Sequence, residues 1–394
     1  MLLLTWLVAL VSPVQVNVAA PVWDVAALKK AKVEPAWGPE TTQNNVSVRS
    51  VLYPGEPYRG KPTRVFALYA RPAAEGKYPA VVLVHGGGGK AFKDWAIHHA
   101  RRGYCAIAMD LSGNDEEGKR LPDGGPDQSD DTKFLDFTPE TRKDMWTYHA
   151  VANVLRAHTL LTALPEVDAS RIGVTGISWG GYLTCIVAGI DDRLKAAVPV
   201  YGCGFLQEDS VWKPQRFDAV APARRDRWVQ AFDPSRHVGG AKCHMLFLNG
   251  TNDFAYPMGS YQKTYTLVGA PKTVSVRVRL PHGHIWTFGE VDAFLDSHLK
   301  GGKPLPTLSA MTVQGGNARA TFQSPAPVTK GFLHYAVADG PWQKREWKSV
   351  AAKVEKGVIT AVLPDTRPLV FELAVLDERG LEVTTPHQIL DKAR

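Results

Sequence analysis

Apolar and polar positions alternate over residues 46–54 and 62–72, and the Pro- and Gly-rich stretch between them reads as a hairpin connection. Residues 79–85 are then continuously apolar and run into four glycines, the pattern of a strand buried on both faces. A helical spacing over 91–102 precedes a second buried strand, Gly-Tyr-Cys-Ala-Ile-Ala-Met-Asp at 103–110. The Gly-, Asp- and Pro-rich stretch 111–137 predicts a long loop, a class that is usually functional or mobile. Thr138, Pro139 and Glu140 predict the start of a helix to about Leu164. Further strands are expected at 171–176, 195–201, 243–249 and 273–280, with helices from about Gly180 to Gly189, and over about 259–268 and 289–299.

Strands alternating with helices over this span predict one α/β domain with a mainly parallel sheet, assigned to residues 21–303 with an N-terminal extension. After Gly301-Gly302-Lys303-Pro304 the texture changes. About six short strands separated by turn signals predict a small β-sandwich over 304–394.

Composition narrows the partners. The 394 residues are 44% hydrophobic and 22% charged, as in a globular protein with a full core. Basic residues (46) exceed acidic ones (39), giving +7, a weak field on this length. The basic residues occur in pairs or short clusters and never in a long run, which excludes a nucleic-acid arm. Residues 1–20 form an apolar segment in which Val18 and Ala20 suit cleavage after Ala20. A signal peptide and a periplasmic or secreted enzyme are expected, with a cytoplasmic protein as the alternative. The apolar run is too short and too Pro-interrupted to span a membrane, so no membrane insertion of the mature chain is expected. Cys105, Cys185, Cys203 and Cys243 are scattered and lack CxxC spacing, so they read as small buried hydrophobes.

The strongest chemical motif is Gly176-Ile177-Ser178-Trp179-Gly180, placed where a strand turns into a helix. A tight turn at that place lifts the Ser178 hydroxyl out at the carboxyl edge of the sheet, and side chains at the flanking glycines would strike backbone. A serine nucleophile needs a base and an orienting acid, which on such a fold follow in the order acid, then histidine. Asp253, in Gly-Thr-Asn-Asp-Phe at 250–254, stands just past a strand; its competing reading is a turn residue. Pro281-His282-Gly283-His284 follows the next strand and offers two bases. His284 is preferred, because Gly283 lets the backbone turn, with His282 as a brace or pocket wall. Metal ligation by this pair or by His98-His99 lacks an acidic or thiol cluster beside it, so no metal is expected. Donors for a developing oxyanion are expected from the glycines after His85 and from the Trp179 backbone N–H. His85 itself reads as a loop brace.

With His85-Gly86-Gly87-Gly88-Gly89, the elbow at 176–184, Gly-Thr-Asn-Asp-Phe and Pro-His-Gly-His on the page, the chain resembles α/β-hydrolase esterases, in particular the acetylxylan esterase and dienelactone-hydrolase-like group. The resemblance spans roughly residues 46–300. It implies an α/β-hydrolase fold, a Ser178–Asp253–His284 triad, an oxyanion hole from Gly87, Gly88 and Trp179, and no cofactor. Dienelactone hydrolases proper carry a cysteine nucleophile, so the serine here points to ester substrates. The reading is a serine carboxylesterase acting on small-molecule or polysaccharide esters, with carbohydrate deacetylation favoured. Alternatives are a prolyl-oligopeptidase-type peptidase and a binding protein on a hydrolase scaffold. Trp179, Phe254, Tyr256 and Trp286 stand near the motifs as pocket or core residues alike.

Overall fold

The computed structural model describes residues 21–285 and 288–391, so the expected signal segment 1–20 and Trp286 lie outside the described residues. The apolar runs pair into a nine-stranded sheet. Its strands are β1 (Ala36–Gln43), β2 (Val46–Pro54), β3 (Arg64–Pro72), β4 (Tyr78–Val84), β5 (Cys105–Met109), β6 (Val167–Ile177), β7 (Ala196–Val200), β8 (His244–Gly250) and β9 (Lys272–Arg277). The order is β1-β2-β3-β5-β4-β6-β7-β8-β9. Strands β1, β2, β3 and β5 pair antiparallel, whereas the run β5-β4-β6-β7-β8-β9 is parallel throughout. This is an α/β-hydrolase sheet.

Helices cover both faces, as a parallel sheet requires. Lys93–Arg101 and Gly289–Leu299 share one face, tied by His98 to Asp292 (3.0 Å) and Arg102 to Asp296 (2.7 Å). Trp146–Thr162 and Trp179–Ile190 share the other. All four cysteines are free and buried in this core, where desolvation pushes the Cys105 and Cys243 thiols up to about 11. Because the parallel strands run one way, the loops after β4, β5, β6, β8 and β9 all leave at one edge.

Three local expectations shift. The helix expected from Thr138 begins at Trp146, preceded by a short 3-10 turn over Thr141–Asp144. Met145 between them is extended (φ −72°, ψ 140°), so the Thr138 cap serves only its own turn. Strand β9 ends at Arg277 instead of 280, and Arg279 beyond it is left-handed (φ 54°). Strand β1 escapes sequence patterning because it is a polar edge strand, bulged between Trp37 and Glu40.

The C-terminal region is a separate antiparallel unit. Strand Lys348–Glu355 pairs with Val328–Val337 at one end and with Val358–Val362 at the other, folding the sheet over a core that includes Leu333, Ile359, Phe371 and Leu373. Its outer face packs on the first sheet. Trp342, Trp347, Val370, Leu381 and Val383 join the main core, and the Thr384 hydroxyl accepts from the Val276 N–H of β9 (3.2 Å).

Candidate active site

Strand β6 delivers Ser178 to the carboxyl edge with φ 59° and ψ −120°, a strained conformation for a residue with a side chain. The strain is held by packing on both sides. A Cβ on Gly180 would run into the carbonyl oxygen of Val84, and one on Gly176 into the carbonyl of Gly180, so both positions exclude any side chain. The Ser178 N–H donates to Val200 O (2.9 Å), and its carbonyl accepts from Tyr182 N–H (2.9 Å) as the helix begins. Its side chain stands partly exposed between buried Ile177 and Trp179.

Asp253 lies three residues past β8 and is 2% exposed. Its Oδ1 accepts the N–H groups of Ala255 (2.9 Å) and Tyr256 (2.7 Å), and its Oδ2 lies 2.6 Å from Nδ1 of His282. A buried carboxylate on one ring nitrogen fixes the tautomer and leaves Nε2 to act as base. The ring is clamped: Tyr201 stacks on it at 4.5 Å, Phe254 lies at 4.8 Å, and the Tyr201 hydroxyl donates to Pro281 O (2.9 Å).

The acid therefore meets His282 and not His284, which corrects the expected pairing. The reason is chain length. With β9 ending early and Arg279 folding the backbone back, the first histidine already reaches the Asp253 carboxylate. His284 is carried past it toward the glycine loop after β4. A Cβ placed on Gly86 would lie 3.3 Å from His284 Nε2 and 2.9 Å from Ser178 Cβ. The His284 ring lies 5.0 Å from Phe92, and partial desolvation, with the nearby His282, lowers its basicity.

The loop after β4 is braced as expected. His85 Nε2 accepts the Leu111 N–H (2.9 Å) while its Nδ1–H donates to Gly86 O (2.7 Å), and burial lowers its pKa to about 4. Of the expected oxyanion donors, the Gly88 N–H is committed to Gln128 Oε1 (3.2 Å), a second correction. Gly87 lies against the Trp179 indole, where a Cβ would fall 3.0 Å from Cδ1, which leaves Gly87 and Trp179 as the expected donors.

Sequence reasoning missed the groups contributed from far away. Within loop 111–137, buried Lys133 places its ammonium 4.8 Å from the Trp179 ring, and desolvation lowers its pKa. Phe134 and Trp212 also flank Trp179, at 6.0 and 4.6 Å. Trp179 and Tyr256 are buried, and burial holds the Tyr256 phenol well above its ordinary range with the Ser178 hydroxyl beside it. The C-terminal unit touches the loop that bears the acid: the Asn252 amide donates to the carbonyls of Trp342 (3.4 Å), Gln343 (3.2 Å) and Arg345 (2.8 Å). A buried cysteine or an aromatic box has a local signal; a contact 90 residues away in sequence has none.

Residues 23–209 match the acetyl xylan esterase family. That span holds the glycine loop and Ser178 but stops short of Asp253 and His282. The acetyl esterase Axe7A of Xylanibacter ruminicola is 24% identical over 242 residues, covering 58% of this chain and 54% of that protein. An uncharacterized peptidase, YuxL of Bacillus subtilis, is 27% identical over 266 residues, covering 58% and 36%. The chain thus spans about half or less of these curated relatives. The acetyl xylan esterase structure from Paenibacillus sp. R4 superposes with a TM-score of 0.58 at 20% identity, covering 70% of this chain and 92% of that one, and so shares the fold.

Proposed function

We propose that this chain, an α/β-hydrolase resembling acetyl xylan esterases, is a serine esterase that removes acetyl groups from carbohydrate. The observation that carries the mechanism is the pairing of buried Asp253 with His282, 2.6 Å apart, at the sheet edge where the strained elbow presents Ser178. The His282 Nε2 takes the Ser178 proton as the hydroxyl attacks the ester carbonyl. The N–H groups of Gly87 and Trp179 receive the negative charge on the carbonyl oxygen. The resulting imidazolium, stabilised by Asp253, returns the proton to the departing alcohol. Water then attacks the acetyl-serine through the same histidine, releasing acetate and restoring Ser178.

The carbohydrate reading rests on the family match and the Axe7A relative. The apolar residues 1–20 support export, which suits a polymeric substrate. Acetate release from acetylated xylo-oligosaccharides by purified protein tests the assignment. Turnover that disappears in Ser178→Ala is expected; turnover of p-nitrophenyl acetate without any release from the sugars would leave an esterase of another substrate class. The YuxL relative favours a peptidase as the second reading. Cleavage of peptide p-nitroanilides in preference to acetate esters would establish it instead.

A further inference from the structure

Beside the Asp253–His282 pair lies an open cleft with one wall from the catalytic domain and one from the C-terminal unit. Asn252, Phe254, Arg279 and His282 form the catalytic-domain wall, and residues 343–346, just past Trp342, form the other. We infer that this cleft is the leaving-group subsite and that the C-terminal unit supplies half of a binding surface for the saccharide on the alcohol side of the scissile ester. This inference rests on the carbohydrate-esterase reading and adds to it where the sugar lies.

The placement follows from the direction of proton transfer. The base that takes the serine proton must return it to the departing oxygen, so the alcohol portion of the ester lies on the histidine side of the serine. His282 lines the cleft together with Asp253, so an alcohol portion lying on the histidine side would extend into it.

The lining suits a polyol. Phe254 is 55% exposed, an unusual state for a large aromatic ring held against a catalytic histidine, and it offers a flat face to the C–H surface of a pyranose. Gln343, Lys344, Arg345 and Glu346 supply donors and acceptors around it. Arg345 stacks its guanidinium 3.6 Å from the Trp342 ring centre and donates from Nε and Nη2 to Gly340 O.

The wall is also rigid. The Asn252 clamp fastens the 342–345 turn to the loop bearing the acid, and Gln343 Nε2 reaches Phe254 O at 3.5 Å. A built surface of this kind spares a ligand the cost of ordering it.

The test uses the full-length protein and two variants, Phe254→Ala and the double variant Lys344→Ala/Glu346→Ala, all at exposed positions. The readout is the ratio of kcat/KM on acetylated xylotetraose to kcat/KM on p-nitrophenyl acetate. Both substrates use the same triad, so any disturbance of Asp253 cancels in the ratio. A fall of about tenfold in Phe254→Ala, with a several-fold fall in the double variant, is expected. Ratios within about twofold of the unaltered protein in both variants overturn the subsite while leaving the esterase reading in place. Hydrolysis of p-nitrophenyl acetate with no turnover of the acetylated sugar by the unaltered protein overturns both.

Discussion

Asp253 binds His282 through Oδ2 and Nδ1 at 2.6 Å, and its other oxygen is held by two backbone N–H groups, so the carboxylate has no freedom to turn toward His284. Replacing Asp253 with Asn keeps the shape and removes the charge that orients the imidazole. The expected result is a fall in kcat on the order of 10³–10⁴ with little change in KM, measured on a small acetate ester. A loss confined to KM would assign Asp253 to substrate binding.

Asn252 holds the same loop from outside the catalytic domain. Its two amide N–H groups are shared among three carbonyls of the 342–345 turn. Asn252→Ala strands those acceptors and is expected to cost roughly 1–3 kcal/mol of stability by chemical denaturation. It also loosens the acid, so kcat on every ester falls together. Unchanged stability and kcat would show the clamp to be incidental.

Several buried histidines set an acid limit to stability. Burial lowers His85, His149 and His387 to about 4 and His99 to about 3, below the unfolded value near 6.5. A group whose folded pKa is depressed stabilises nothing extra above 6.5. Below it the unfolded chain takes protons first, so stability falls from pH 6.5 down to about 4. Thermal midpoints are expected to drop steadily over that window. His99, buried with both ring nitrogens unpartnered among the described residues, is the cleanest probe. His99→Leu should flatten the slope, and an identical slope in that variant would remove His99 from the account.

Gly180 is a steric requirement, since a Cβ there meets Val84 O. Gly180→Ala is expected to destabilise the protein by on the order of 3 kcal/mol or more, because neither the strand nor the helix can yield. Expression of a soluble Gly180→Ala protein with an unchanged melting temperature would show that the elbow relaxes more easily than its packing implies.

The parts of the site visible in sequence are those with local causes. Ser178 announces itself because a turn this tight excludes side chains at Gly176 and Gly180. Asp253 follows a buried apolar strand by a fixed short interval. The choice between His282 and His284 depends on where β9 stops and on the left-handed Arg279, which residue counting does not reveal. Gly88 looks like an oxyanion donor until Gln128, 40 residues on, takes its N–H. The contact between Asn252 and the 342–345 turn is likewise a product of packing between two sheets, each legible alone but silent about the other.

The most direct test of the central claim is the rate of covalent labelling by a fluorophosphonate, with the modified peptide identified by mass. One adduct on Ser178 is predicted in the unaltered protein and none in Ser178→Ala. His282→Ala should label at least about a hundredfold more slowly, while His284→Ala stays within about tenfold of the unaltered rate. Labelling that persists in Ser178→Ala, or that collapses in His284→Ala and survives in His282→Ala, would contradict the account.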